Sequence, residues 1–301
     1  ANVCQGVPAL EPGKVRYLRV LQMDARTYSM WTRDGRFSGP VVSALQDDGV
    51  KRILGTVPVE ADGSVHFRAP AGVTLHFQVL DEHYRALQTM RSFTGVMPGE
   101  KRGCVGCHES HSVTPAGGVA AAAAVRRDPS PIAPPPWGTR SLSYERLVQP
   151  VLDRHCGPCH QGDGKGRKKL DLTLRPGAGV FKEPYLSLIG PVGFDLKGAG
   201  GIAGALKCEN YGQSDPESYT TTAPLAYLSP ASRLVENAMS GRHHDVRLPA
   251  DDLRLLIGWV DANCPYRGDE DIRDLPDLAF AGIEKLPIRP QVRSAPVIAR
   301  P

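Results

Sequence analysis

The sequence predicts a multi-domain β + α protein with two unlike halves. Three observations carry this. Residues 12–103 hold five short runs rich in Val, Leu, Phe and Thr, spaced about ten residues apart, as in a small sandwich or barrel. Residues 114–140 are dominated by alanine and proline. Residues 141–268 place apolar residues at helical spacing between glycine-rich loops. The expected organisation is a β-sandwich or barrel-like domain over 1–113, a linker over 114–140, a mainly helical domain over 141–268 and an extended proline-rich tail over 269–301.

The elements follow in chain order. The β runs are "VRYLRVLQM", "RILGTVPVE", "SVHFRAP", "TLHFQVLD" and "ALQTMRSF". Asp62-Gly63 and Pro70-Ala71-Gly72 fall between them as turn signals. This pattern predicts a hairpin in which His66 and His76 face each other in a cross-strand or core role. The linker holds Ala120 to Ala124 and six prolines from residue 112 on. Proline fixes φ and removes a donor, so an extended strap is expected, with one helical turn at the alanines. "SYERLVQPVLDRH" predicts a helix capped by Ser143 and bent at Pro150. "ASRLVENAMSG" predicts a short helix ending at Gly241. "LPADDLRLLIGWVDANC" is the clearest helix. Pro249 lies near its first turn, Asp251 and Asp252 suit the positive end of the dipole, and Leu253, Leu256, Ile257 and Val260 form one stripe.

Charge and composition narrow the function classes. The chain has 301 residues and a net charge of +4. Its basic residues are scattered except for Lys165, Arg167, Lys168 and Lys169. No aromatics interleave with that cluster, so it reads as a solvated loop and no nucleic-acid partner is expected. No apolar run approaches the roughly 18 residues of a spanning helix. A start at Ala1 suits a chain released from an export signal. Four of the seven cysteines fall in two motifs, leaving Cys4, Cys208 and Cys264. A Cys208–Cys264 disulfide with an odd Cys4, free or bonded to a partner chain, is the simplest arithmetic; three reduced thiols is the alternative.

The two motifs carry the chemistry. "CVGCH" spans Cys104, Cys107 and His108; "CGPCH" spans Cys156, Cys159 and His160. Cys-x-x-Cys-His is the attachment pattern of c-type haem. Two spacers let both sulfurs reach one porphyrin edge, and the following histidine lies under the iron. Zinc ribbons want their cysteine pairs about 15–20 residues apart. Here 48 residues separate Cys107 from Cys156. A thioredoxin-like dithiol wants a βαβ setting, which is missing. Two covalent haems c are therefore expected, with His108 and His160 as proximal ligands. Their attachment outside the cytoplasm makes a periplasmic or extracellular location expected and a disulfide permissible.

The sixth ligand separates electron transfer from small-molecule chemistry. For the second haem, His243 or His244 in "SGRHHDVRLP" is expected, with Met239 a weaker candidate. For the first, His83 in "LDEHYRA" and His111 are candidates for a distal or second-metal ligand, and Met90 and Met97 are soft alternatives. An open position, or a ligand from another chain, also stays in play. "GPVGFDLKGAGG" lacks the strand and helix that a dinucleotide site requires.

The longer text around these motifs is familiar. "LGTVPVEADGSVHFRAPAG", "FQVLDEHYRALQTMRSFTGVMPGEKRGCVGCHE", "VQPVLDRHCGPCH", "SGRHHDVRL" and "IGWVDANCPYRG" resemble the middle and C-terminal regions of the hydrazine synthase alpha subunit family, over roughly residues 12–268. The resemblance implies a β-rich domain with one c-haem, then a cytochrome c-like domain with another. It implies that His160 and one of His243 and His244 are an axial pair serving electron transfer. Two departures accompany it. Large members begin with a β-propeller, for which this chain has no room. The best-known member places a tyrosine just after the first haem motif, in an unusual iron site beside a zinc. Here no tyrosine occurs between Tyr84 and Tyr144, and His111 is the nearest new donor.

The expectation is a dihaem c-type cytochrome that transfers electrons within a larger assembly. Its partners would be redox proteins or neighbouring copies, with an oligomer or polymer built through the tail and Cys4. The alternatives are a hydrazine synthase-like or peroxidase-like enzyme acting on a small nitrogen or oxygen species at the first haem, or a haem-bearing polymer subunit.

Overall fold

The computed structural model describes residues 3, 10, 13–24, 41–45, 49–90, 92–104, 106, 122–191, 198–207 and 222–272. They form a mixed β/α protein. Four of the runs become strands: β1 (Tyr17–Met23), β2 (Lys51–Pro58), β3 (Thr74–Leu80) and β4 (Ala86–Thr89). They make one antiparallel sheet in the order β2-β1-β3-β4. β1 pairs with β3 in unbroken register from Tyr17 opposite Leu80 to Met23 opposite Thr74. Against β2 its register shifts between Val20 and Leu21.

β1 alternates, yet both of its faces are buried. Leu18 and Val20 join Leu54, Val57, Leu75, Val79 and Ile132 in one core. Leu21 joins Ile53, Leu80 and Ala86 in a second core, which continues into Tyr144, Tyr185, Trp259 and Tyr266 of the helical half.

The run "SVHFRAP" departs from expectation. It is extended but makes no hairpin with β3. Its partner is the linker: Ser130 donates to the His66 carbonyl at 2.9 Å, and Arg68 donates to the Ser130 carbonyl at 3.1 Å. His66 and His76 therefore do not face each other; the His76 ring lies 3.1 Å from the Thr89 hydroxyl. The linker is docked rather than free. Thr56 and Ala133 exchange two backbone hydrogen bonds of 2.9 Å each. Gly55, at φ +144, is needed there, since a Cβ would fall 2.0 Å from the Ala133 carbonyl oxygen. The expected helical turn forms over Ala123–Arg126.

The helical half opens as the sequence suggests. Ser143 caps a π-helical turn, Tyr144–Val148, and its hydroxyl accepts from Arg146 N at 3.4 Å. That turn runs into α1 (Gln149–His155), with Pro150 in the first turn of the α-helix. Then come α2 (Gly157–His160), the pair β5 (Arg175–Pro176) and β6 (Lys182–Glu183), and α3 (Tyr185–Ile189). A second small pair, β7 (Gly198–Gly200) and β8 (Ala205–Lys207), precedes α4 (Arg233–Ser240) and α5 (Ala250–Asp261). Ser232 caps α4, and Gly241 ends it at φ 74. α5 is buried beyond one stripe: Leu255, Trp259 and Asp261 join Leu256, Ile257 and Val260. Gly258 permits this, because a Cβ there would meet Trp137 at 2.9 Å and Ile53 at 3.0 Å.

The halves meet at a buried ion pair. Arg19 on β1 donates to Asp261 at the end of α5 at 2.7 Å, with side chains 4% and 0% exposed. Asp261 also accepts from the backbone of Ala86 at 3.1 Å and of Ser229 at 3.0 Å. Gln78 accepts from Arg19 and donates to the Asp261 carbonyl, at 2.9 and 2.7 Å. Every partner is satisfied from both halves, which a buried pair requires.

Two further expectations need correction. Cys264 is a free thiol with no exposed surface, so the Cys208–Cys264 bond is not made in this structure; Cys208 itself lies outside the described residues, as does Cys4. Packing also runs past the expected start of the tail at 269. Asp269 meets Arg52 at 3.4 Å, and Ile272 is buried. Among the described residues, no helix is long and apolar enough to cross a membrane.

Candidate functional site

The second Cys-x-x-Cys-His is held on all sides by its neighbours. Cys156 ends α1, donating to the Leu152 carbonyl at 2.8 Å; His160 donates back to the Cys156 carbonyl at 2.9 Å. Cys156 is half-buried and Cys159 exposed. The following loop folds back over the motif. Gly166 donates to the Cys159 carbonyl at 2.8 Å, and Leu172 donates to the His160 carbonyl at 2.9 Å. Gly166 has to be a glycine, because a Cβ would sit 2.9 Å from His160 Cε1.

This wrap fixes the His160 ring. Its Nδ1 lies 2.9 Å from the Leu170 carbonyl oxygen. A carbonyl only accepts, so Nδ1 carries the proton and Nε2 keeps its lone pair for a metal.

His243 faces it. α4 ends at Gly241, and the turn beyond closes through Val246 N to the His243 carbonyl at 3.0 Å and Leu248 N to the Ala238 carbonyl at 2.9 Å. His244 and Asp245 take positive φ of 51° and 60°, and the His244 ring packs edge-on against that of His243 with centroids 5.0 Å apart. The His243 and His160 rings are 6.0 Å apart at 21°. The His244 ring stands nearly perpendicular to His243, at 73°. Partial burial, then the neighbouring His244 and His160, lower the His243 pKa, so the ring is neutral and able to ligate. Met239 is instead packed against the core.

These are the residue types that would hold a haem. Two imidazoles on opposite sides of one metal, each bonded at about 2 Å, have ring centres roughly 6 Å apart. The observed separation meets that requirement. A redox dithiol fits poorly, because burial, then Cys159, pushes the Cys156 thiol up to about 11, away from thiolate character. Among the described residues, no three His, Cys, Asp or Glu side chains gather as a metal site of their own.

A further clamp was not legible in the spacing. His155 lies 2.8 Å from Asp252 on α5, and Arg154 reaches the same carboxylate at 3.0 Å. Burial alone would raise that carboxyl; the hydrogen bonds from His155 and Arg154, with the charge of Arg154, outweigh it and hold the pKa below the usual range. The clamp ties the residue before Cys156 to the first turn of α5.

The first motif is placed differently. Cys104 is exposed, on the segment that leaves the sheet. A turn at Met97–Glu100 reverses the chain, with Glu100 N donating to the Met97 carbonyl at 3.0 Å. Arg102 then reaches back to the Thr94 hydroxyl at 2.9 Å. Phe93, ahead of this turn, and Met97, which opens it, are 69% and 67% exposed. Cys107, His108 and His111 lie outside the described residues. His83 is exposed at a tight turn, 3.8 Å from Glu82. Met90 is half-buried.

Fold and site together define a mixed β/α protein with twin cysteine–histidine motifs, one on a sheet's exit and one in a helical cradle. Comparison with known proteins narrows this. Residues 13–109 match the family described as hydrazine synthase alpha subunit middle domain. The solved structure described as Kuenenia stuttgartiensis hydrazine synthase is similar over 85% of this chain, at 17% identity and a TM-score of 0.52. This chain spans 40% of that one. No curated protein matches. The family match covers residues 13–109, and the likeness to the solved structure is one of fold.

Proposed function

We propose that this chain is a dihaem c-type cytochrome module that carries electrons outside the cytoplasm, within a larger assembly. Cys156 and Cys159 would tether the second haem, with His160 proximal and His243, rather than His244, distal. Cys104 and Cys107 would tether the first, with His108 proximal. The observation that carries the reading is the facing pair of His160 and His243, with His160 Nδ1 fixed by the Leu170 carbonyl. A haem held there supplies one-electron chemistry through its iron. The chain's own part would be to hold both imidazoles in place. That leaves no open position for substrate and keeps rearrangement on electron uptake small.

The test is attachment. Full chain produced in a host with c-haem assembly machinery should carry two covalent haems by pyridine haemochrome assay. Cys156→Ser with Cys159→Ser should carry one. Chain without covalent haem would refute the reading.

A second reading rests on the family match, whose residues 13–109 include the first motif. A hydrazine synthase-like or peroxidase-like enzyme would use an open first haem to act on a small nitrogen or oxygen species. A high-spin band that shifts on adding cyanide or nitric oxide would favour it. Two low-spin haems that ignore both ligands would remove it.

A further inference from the structure

The loop that wraps His160 has a second property, which the electron-transfer reading leaves unused. Lys165, Arg167, Lys168 and Lys169 are all exposed. Their backbone is not free. Gly166 N is bonded to the Cys159 carbonyl, Lys169 N to the Gly166 carbonyl and Leu172 N to the His160 carbonyl, at 2.8, 2.9 and 2.9 Å. The same Gly166 packs against the imidazole of His160. The backbone that carries the basic side chains is thus fixed against His160, and those side chains form an exposed rim on that loop. Arg167 is held by Asp171 at 3.0 Å, while among the described residues no carboxylate stands within ion-pair distance of Lys165, Lys168 or Lys169. Residues 153–175 contain six basic and three acidic side chains, a net +3 in a chain whose total is +4. Asp252 on α5 offsets Arg154, so the lysines of this loop make up the local excess.

We infer that this rim is the docking surface for the acidic face of a redox partner protein, which exchanges electrons with the second haem. The inference rests on the electron-transfer reading above. Charge placed next to a redox centre steers diffusional encounter and orients the partner without a large interface. Electron-transfer encounters bury little surface, so fixed charge rather than apolar area has to select the partner. The exposed lysines fit that demand, since they offer compact, strongly hydrated charge rather than a sticky patch.

The test uses the haem-loaded full chain, reduced and then mixed with one-electron oxidants of opposite charge: hexacyanoferrate(III), an anion, and tris(phenanthroline)cobalt(III), a cation. Each takes one electron per molecule, so one ferrous centre becomes ferric as one oxidant is reduced. In Lys165→Glu/Lys168→Glu/Lys169→Glu, oxidation by the anion should slow about tenfold or more at low salt, and oxidation by the cation should speed up. Both changes should shrink in roughly 0.5 M salt, where the screening length is a few ångströms. Reduction of the oxidised chain by flavodoxin hydroquinone, an acidic protein probe, should slow in the same variant. The control Arg68→Glu/Arg126→Glu/Arg140→Glu changes net charge equally but away from the motif. An equal loss in that control, or flavodoxin rates that ignore the lysine variant, would overturn the inference. A chain with no haem absorbance would instead sink the electron-transfer reading itself, so the two failures are distinct.

Discussion

Cys156 and Cys104 occupy the same position of the same five-residue pattern. One is half-buried at the end of α1, under a loop that also grips the following histidine. The other is exposed on the segment that leaves the sheet. The pattern specifies where a porphyrin can be tethered. In the proposed reading, surroundings would specify what a tethered iron can do: at the second motif the rings of His160 and His243 lie 6.0 Å apart and His160 Nδ1 meets the Leu170 carbonyl, while His108 of the first motif lies outside the described residues.

The sharpest way to break this contrast is at His243. His243→Ala should remove the whole low-spin signal of one haem by electron paramagnetic resonance, and His244→Ala should leave it. Equal effects, or none, would erase the distinction drawn between the two rings.

Next in size is the ion pair on which both halves lean. Arg19→Leu strands Asp261 in the interior and should cost about 3–5 kcal/mol in denaturant unfolding. Arg19→Leu with Asp261→Leu should recover most of that loss. A small effect of the single change would mean that the halves are stable apart.

A smaller change sharpens the contrast from one side. Gly166→Ala pushes on the His160 ring and should cost about 1–3 kcal/mol. It should shift the spectrum or potential of the second haem alone, measured by redox titration.

The smallest concerns Asp62, which pins the linker behind the first motif. The Ala123 N–H, then the Ser64 hydroxyl, hold its carboxyl down to about 2. A depressed carboxylate stabilises the fold above its unfolded pKa of about 3.9 and loses that contribution as pH falls through its folded value. Asp62 is exposed, so the effect should be well under about 1 kcal/mol. Asp62→Asn should flatten the stability profile between about pH 4 and pH 2. An unchanged profile would detach the linker from this anchor.

Much of this architecture is legible in the sequence where the signal is local. β1, β3 and β4 fall within the runs read from apolar alternation, β2 starts one residue ahead of its run, and the end of α4 follows from Gly241. The hairpin of His66 failed because alternation marks an extended segment without naming its partner, and that partner is Ser130 in the linker. The burial of α5 exceeded its stripe because Gly258 admits Trp137 and Ile53 on a second side. At the site, residue types and spacing give Cys156, Cys159 and His160. They could not choose between His243 and His244, since that depends on two positive φ angles. The Leu170 carbonyl was invisible too, because any residue can supply a carbonyl.

The sheet's borders have a consequence for assembly. β2 is hydrogen-bonded along its outer side to Ala133 of the linker, and β4 receives Leu225 N on the Leu87 carbonyl at 3.0 Å. A sheet whose rims are already engaged offers a neighbour little backbone to zip onto. Whatever joins this molecule at those rims has to recognise side chains, so its associations there can be rewritten one residue at a time while the fold beneath stays the same.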